Sequence, residues 1–329
     1  MTNDEIRMTK RWLCLVVLAV LWGGVGALAG APGAVTRPVE MGKIVLDYDT
    51  AVDAELQAKV EGLDGRLREK YGMTVEQTAV GVMDLRTGRL AMVRGDREEY
   101  AASVAKIGIL LAYFDKHPEC GEKIDPTVER ELGEMAKVSS NEMAAKYSRE
   151  LGLKEIQKVL DRYGFYDAKR GGGIWVGKHY GKGAERYGSP VGDNSHAVTV
   201  RQVMRFFVML EQGKLVSPAA SREMRKIFES PALKHDEIKF VKGLAGRDVS
   251  IIRKWGTWED WRHDAAVVTG GGRHYVVVGL TRHAKGDEYL EELVRGVDDL
   301  MTKYEVRRTK RGSRQAGSVF RHSSFEVRH

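Results

Sequence analysis

The sequence predicts an α+β fold: one antiparallel sheet built from both chain ends and flanked by helices, plus an all-helical lobe from the middle. Three observations predict it. β-branched and apolar runs occupy 78–84 and 89–94, and return at 249–254, 264–269 and 275–281. Helix-period runs fill the stretch between them. Arg86-Thr87-Gly88 and Gly270-Gly271-Gly272 supply turn chemistry between neighbouring runs, as hairpins require. Strands grouped at the two ends with helices between them give a segregated architecture rather than alternating βα units.

In chain order, residues 32–50 read as an extended linker or first strand. Residues 51–71 are highly charged at helical spacing, which predicts an exposed amphipathic helix. Helices follow at 103–116, 126–137, 141–151 and 154–163. The first of these carries Ile107, Ile109, Leu110, Leu111 and Phe114, leaving almost no polar face, so it is buried. Residues 164–195 are Gly-rich and too long for a simple connection; such loops are usually functional or mobile. A helix over 198–212 turns Val200, Val203, Phe206, Phe207 and Leu210 inward, and another covers 217–228. A helix over 287–304 closes the fold, and the chain has no internal repeat.

The two ends differ from the body. Arg7, Lys10 and Arg11 precede an apolar run at 12–21, and Ala27-Leu28-Ala29 offers a small-residue cleavage site. This pattern predicts a signal peptide over 1–29, with an uncleaved membrane anchor as the alternative. The net charge of +7 sits mostly at 306–329, which holds seven Lys/Arg against Glu326 alone. The body at 30–305, the predicted folded domain, is formally neutral. The tail is predicted to be disordered, since Arg, Ser and Gly build no core. Removal of the leader leaves Cys120 as the one cysteine, so no intrachain disulfide forms.

Three short boxes carry the chemistry. Ser103-Val-Ala-Lys106 sets a hydroxyl and an amine one helical turn apart at the mouth of a buried helix. Burial disfavours the ammonium, so the free amine can take the serine proton, and the helix N-terminus favours an oxyanion. Ser139-Ser140-Asn141 precedes a helix, and Lys254-Trp255-Gly256 ends a strand. Each has a local explanation too: Ser103 and Ser139 as helix caps, Lys254 as a solvated strand end. Lys-x-Gly also recurs, at Lys169 and Lys310 among others.

In their order, the boxes resemble the Ser-x-x-Lys, Ser-x-Asn and Lys-Thr-Gly motifs of the serine β-lactamases (class A-like) and penicillin-binding D,D-peptidases. The stretch from Tyr100 to Leu111 resembles the central helix of that superfamily, and the likeness covers about 50–305. It implies the β-lactamase/transpeptidase fold. It also implies Ser103 as nucleophile, Lys106 as general base, Ser139 as proton relay to the leaving nitrogen and Asn141 as holder of the substrate amide. Lys254 would set the field around Ser139 and help bind a substrate carboxylate. The N–H groups of Ser103 and Thr257 would form the oxyanion hole beside Gly256.

The departures are specific. Trp255 stands where the family has Thr or Ser, changing that wall of the cleft. Ser103 and Ser139 are 36 positions apart, which implies a trimmed helical lobe. The Glu-x-x-Leu-Asn loop of class A enzymes is missing. The only Glu in 171–194 is Glu185, which the sequence does not place as the deacylating base.

Other motifs lead nowhere. Gly172 to Lys178 matches a phosphate-loop spacing, but His179 follows instead of Ser or Thr. The segment is read instead as a cleft border, with Trp175 and Tyr180 as an aromatic wall. His263, His274 and His283 lack metal-ligand spacing on one element. The expectation is therefore a periplasmic or secreted, monomeric, cofactor-free serine hydrolase with no nucleic-acid partner and no membrane insertion after cleavage. It would act through an acyl-enzyme on a β-lactam or peptidoglycan-like peptide. The alternative is a penicillin-binding or cell-wall-sensing module of the same fold, without turnover.

Overall fold

The computed structural model describes residues 39–319, except 182, 184 and 231, with side chains described to Thr302. The predicted leader and residues 320–329 lie outside the described residues.

Helix α1 (Ala54–Tyr71) is capped by Asp53, whose carboxylate accepts from Leu56 N, and ends at Gly72 in the left-handed region. Strands β1 (Thr78–Asp84) and β2 (Arg89–Val93) form the first hairpin, followed by the short β3 (Glu99–Tyr100). The helical lobe comprises α2 (Lys106–Lys116), α3 (Pro126–Ala136), α4 (Asn141–Leu151) and α5 (Leu153–Arg162). The Gly-rich loop carries three short strands, β4 (Tyr166–Asp167), β5 (Gly172–Gly173) and β6 (Trp175–Val176), and leads into β7 (His196–Val198). Next come α6 (Val200–Glu211), α7 (Pro218–Glu229) and the unpredicted α8 (Lys239–Gly243). Strands β8 (Ser250–Trp258), β9 (Trp261–Gly270) and β10 (Arg273–Arg282) precede α9 (Gly286–Val319).

The predicted union of the two chain ends is present. The main sheet runs β2-β1-β10-β9-β8, all antiparallel, and Thr78 pairs with Thr281. Both faces are covered, so its strands read as apolar runs rather than alternations. Ala79, Met83, Ala265, Val267, Val276 and Val278 join the core beneath the helical lobe. Val80, Val82, Ala266, Val268 and Val277 join a second core with α1, α8 and α9. A Cβ on Gly81 would lie 2.2 Å from Met204 Sδ, so glycine lets α6 sit directly on β1.

Three boundaries differ from the sequence reading. Strand β8 continues past Lys254 to Trp258, because its register with β9 holds to the Trp258–Trp261 pair. Helix α2 starts at Lys106 rather than 103, because the backbone before it closes through bonds three residues apart, such as Val104 N to Ala101 O and Lys106 N to Ser103 O, tighter than α-helical ones. The closing helix is assigned beyond 304 to Val319, through the first part of the predicted tail.

Candidate active site

Ser103 stands on a strained turn between β3 and α2. Tyr100 and Ala101 are tied down on both sides: His263 Nε2 donates to Tyr100 O at 2.8 Å, and Ala101 N donates to His196 O at 2.9 Å. Ala102 then takes its positive φ, and its carbonyl accepts from the Tyr180 hydroxyl at 3.1 Å. A β-carbon in that region costs about 1–3 kcal/mol, and such strain clusters at functional sites. The turn closes through Val104 N to Ala101 O and Lys106 N to Ser103 O. Ala101, Ala102, Val104 and Ala105 are buried, while Ser103 stays half-exposed. Among the described residues its hydroxyl has no hydrogen-bond partner, so Ser103 is not acting as a helix cap.

Lys106 opens α2 and is 1% exposed. Its Nζ lies 2.6 Å from Ser139 O, 2.8 Å from Asn141 Oδ1 and 3.3 Å from Ser139 Oγ. The predicted direct bond to Ser103 is not made in this conformation; the lysine joins the second box instead. Catalytic bonds are often open without substrate. Desolvation brings the Lys106 pKa down to about 7, and among the described residues no carboxylate pairs with it. The lysine donates to all three oxygens, and loss of one proton leaves a lone pair within reach of Ser139 Oγ. The arrangement can therefore take a proton from a serine hydroxyl.

The second box is equally constrained. Ser139 has a φ of 65°, a second strained non-glycine residue at the same place. The cap of α4 is Ser140, whose hydroxyl accepts from Met143 N at 3.2 Å. This frees Ser139 from the capping role and turns it toward Lys106. Asn141, the first residue of α4, presents its carbonyl oxygen to the same amine.

The third box crosses in front of the serine on the edge strand β8. A Cβ on Gly256 would lie 2.9 Å from Ser103 N and 3.1 Å from Ala101 O, so strand and turn are in contact and only glycine fits. Side chains alternate across a strand. Lys254 and Gly256 share the face toward Ser103; Arg253, Trp255 and Thr257 share the face toward α8. Lys254 is fully buried, donates to Trp255 O at 2.8 Å, and has its pKa held far below the ordinary lysine value by desolvation and then by Lys106. Trp255 was expected on the cleft wall; its ring lies on the α8 face, 4.9 Å from Lys239 Nζ and 5.3 Å from Lys254 Nζ. Thr257 is exposed, and its hydroxyl accepts from Lys239 at 2.6 Å.

The Gly-rich loop supplies the remaining wall. Tyr180 is buried, its ring centroid 4.6 Å from Lys106 Nζ, and it stacks on His196 at 4.3 Å. Trp175 packs instead on Tyr166, at 5.2 Å, with its indole N–H on Tyr187 O. Glu98 holds the loop in place, accepting from Ser189 Oγ, Gly192 N, Asn194 Nδ2 and Tyr166 Oη. Glu185 is exposed beside Tyr187, outside the site. The described residues contain no group of side chains able to hold a metal ion.

Sequence reasoning passed over two site residues. Lys239 is fully buried at a φ of 51° and also donates to Gly256 O at 2.8 Å; burial lowers its pKa to about 8. Its signal was a lone charge inside the apolar run Ile238 to Val241. His263, considered in the sequence only for its lack of metal-ligand spacing, is the buried tie to Tyr100, and burial brings its pKa down to about 4. Cys120 is a free, buried thiol whose pKa burial raises, which leaves it inert.

A five-stranded antiparallel sheet with helices on both faces, a helical lobe beside its edge strand and a serine turn at the junction defines the β-lactamase/transpeptidase class of fold. The chain belongs to the β-lactamase enzyme family, whose model matches residues 118–304. Ser103 and Lys106 precede the matched residues. No curated protein matches the chain. Among solved structures, it is similar to the β-lactamase of Sphaerobacter thermophilus at 15% identity and a TM-score of 0.59, covering 73% of this chain and 95% of that one. An ancestral class A β-lactamase shares 21% identity at a TM-score of 0.57, covering 74% and 99%. A variant of PBP-A, in an acyl-enzyme complex with penicillin G, shares 16% identity at a TM-score of 0.58, covering 75% and 97%. These likenesses are of fold.

Proposed function

We propose that the protein is a periplasmic or secreted serine hydrolase acting through an acyl-enzyme on an amide or ester carbonyl, in a β-lactam or a cell-wall peptide. The observation that carries this reading is the meeting of the three boxes: Lys106 contacts Ser139 and Asn141, and Gly256 abuts the backbone N–H of Ser103. Ser103 Oγ attacks the carbonyl carbon as its proton passes to the Lys106 amine. The N–H groups of Ser103 and Thr257 receive the oxyanion. As the C–N bond breaks, Ser139 gives its proton to the leaving nitrogen and is resupplied by Lys106. Asn141 holds the substrate amide, and Lys254, which burial keeps largely uncharged, serves as a hydrogen-bond donor at the strand edge rather than as a fixed charge. The chain acts as a monomer without a cofactor. Among the described residues no helix is long and apolar enough to cross a membrane.

The absence of a carboxylate beside Lys106 among the described residues favours a second reading, a penicillin-binding or cell-wall-sensing module that acylates once and does not turn over. One experiment separates the two. The purified protein is mixed with a chromogenic and a fluorescent β-lactam, with Ser103→Ala run alongside. Steady colour development supports the hydrolase. One stable label per chain, absent in Ser103→Ala, supports the sensor. No label and no ester hydrolysis by the wild type would falsify both. Glu185→Gln is expected to leave every rate unchanged, because that side chain faces solvent.

A further inference from the structure

Tyr180 makes three contacts that together place it between the reacting groups and the Gly-rich loop. Its ring centroid lies 4.6 Å from Lys106 Nζ. Its other neighbour is the neutral imidazole of His196, stacked at 4.3 Å and fixed by a 2.9 Å contact to Lys178 O. Its hydroxyl donates to the carbonyl of Ala102, the strained residue before the nucleophile. Tyr180 is 8% exposed and His196 is 4% exposed, so the pair forms a plug rather than a rim. The plug brings an aromatic face to Lys106, and among the described residues no carboxylate pairs with that amine.

We propose that Tyr180 is a positioning residue that sets the lifetime of the acyl group on Ser103, by closing the Lys106 side of the site to water and by clamping the nucleophile turn. The inference rests on the acyl-enzyme reading above. Deacylation forms a bond from a water oxygen to the acyl carbon and breaks the bond from that carbon to Ser103 Oγ. One water proton ends on Oγ, and the other leaves with the released acid. That step needs room for the water and a base beside it. The Tyr180 ring denies the room, and no carboxylate of the described loop residues reaches the site. The ring is one of the groups that bury Lys106, so the side chain that helps keep the amine dry for acylation also slows the step that follows it, hydrolysis.

The test uses full-length protein pulsed with penicillin G, with the Ser103 adduct followed by intact-mass spectrometry. Tyr180→Ala should shorten the adduct lifetime by about tenfold or more and move the pH midpoint of acylation upward, since water reaches Lys106. Tyr180→Phe keeps the ring and is the safer fold. It should retain the lifetime and the midpoint while acylating about three- to tenfold more slowly, because the Ala102 clamp is lost. An unchanged lifetime and midpoint in a folded Tyr180→Ala protein overturns the proposal, as does Tyr180→Phe losing the long lifetime. Should Tyr180→Ala not fold, the Tyr180→Phe lifetime decides. A wild type that never forms the adduct overturns the acyl-enzyme reading itself, and this inference with it.

Discussion

An ammonium group removed from water gives up its proton more readily, and Lys106 occupies such a place. With a pKa of about 7, its free-amine fraction rises through neutrality. Acylation of Ser103 should therefore climb with pH and reach half its plateau near that value, as stopped-flow labelling across pH 5–9 would read. Lys106→Met should lower the acylation rate by about 10²–10⁴-fold at every pH and flatten the profile, the range a positioned general base supplies. A profile that stays steep in Lys106→Met would move the base elsewhere. The burial of this residue was legible, because an apolar helix with one lysine at its mouth forces the amine into the core. Its contacts were not. Helical spacing put Lys106 over Ser103, whereas positive φ angles at Ala102 and Ser139 reshape both turns and bring Ser139 to the amine. Nothing in the residue types of Ala102 or Ser139 announces a left-handed conformation.

The edge strand β8 is the element on which the site depends. It meets the nucleophile turn at Gly256, where no side chain fits. Gly256→Ala should cut acylation at least tenfold with the circular dichroism spectrum retained, since a Cβ pushed against Ser103 N displaces an oxyanion donor. Lys239→Met should weaken the same element more gently. It removes donors from Gly256 O and Thr257 Oγ1, and hydrogen exchange at 255–258 should quicken relative to the rest of the sheet. Equal protection in both proteins would show that the strand does not need this lysine. The strand interiors were legible from β-branched runs. The site end of β8 was not, because Lys254, Gly256 and Thr257 break the apolar pattern in the very place where pairing with β9 continues. Helix α8 was invisible for a related reason: five residues are too few for a periodic signal, and its buried lysine reads as a surface charge.

At the scale of the whole molecule, neutral imidazoles are built into the core. Burial brings the pKa of both His196 and His263 down to about 4. The unfolded chain binds these protons near pH 6.5, so between that value and pH 4 it holds more protons than the native state. Stability therefore falls as pH drops through this window, is fully discounted below about pH 4, and recovers above pH 6.5. Each histidine accounts for on the order of 3 kcal/mol of this loss. Urea midpoints measured at pH 7, 5.5 and 4.5 should decline in that order. His263→Asn should flatten part of the decline, and a midpoint independent of pH would mean the rings are protonated in place.

The sheet carries one more consequence. Its first strand pairs with its last, Thr78 against Thr281, so two partners some two hundred residues apart must meet before either face is covered. A nascent chain halted before Ser250 already contains Ser103, Lys106, Ser139 and Asn141, yet it has no platform to hold them in register. Synthesis must pass Arg282 before the proposed nucleophile and its partners gain that support.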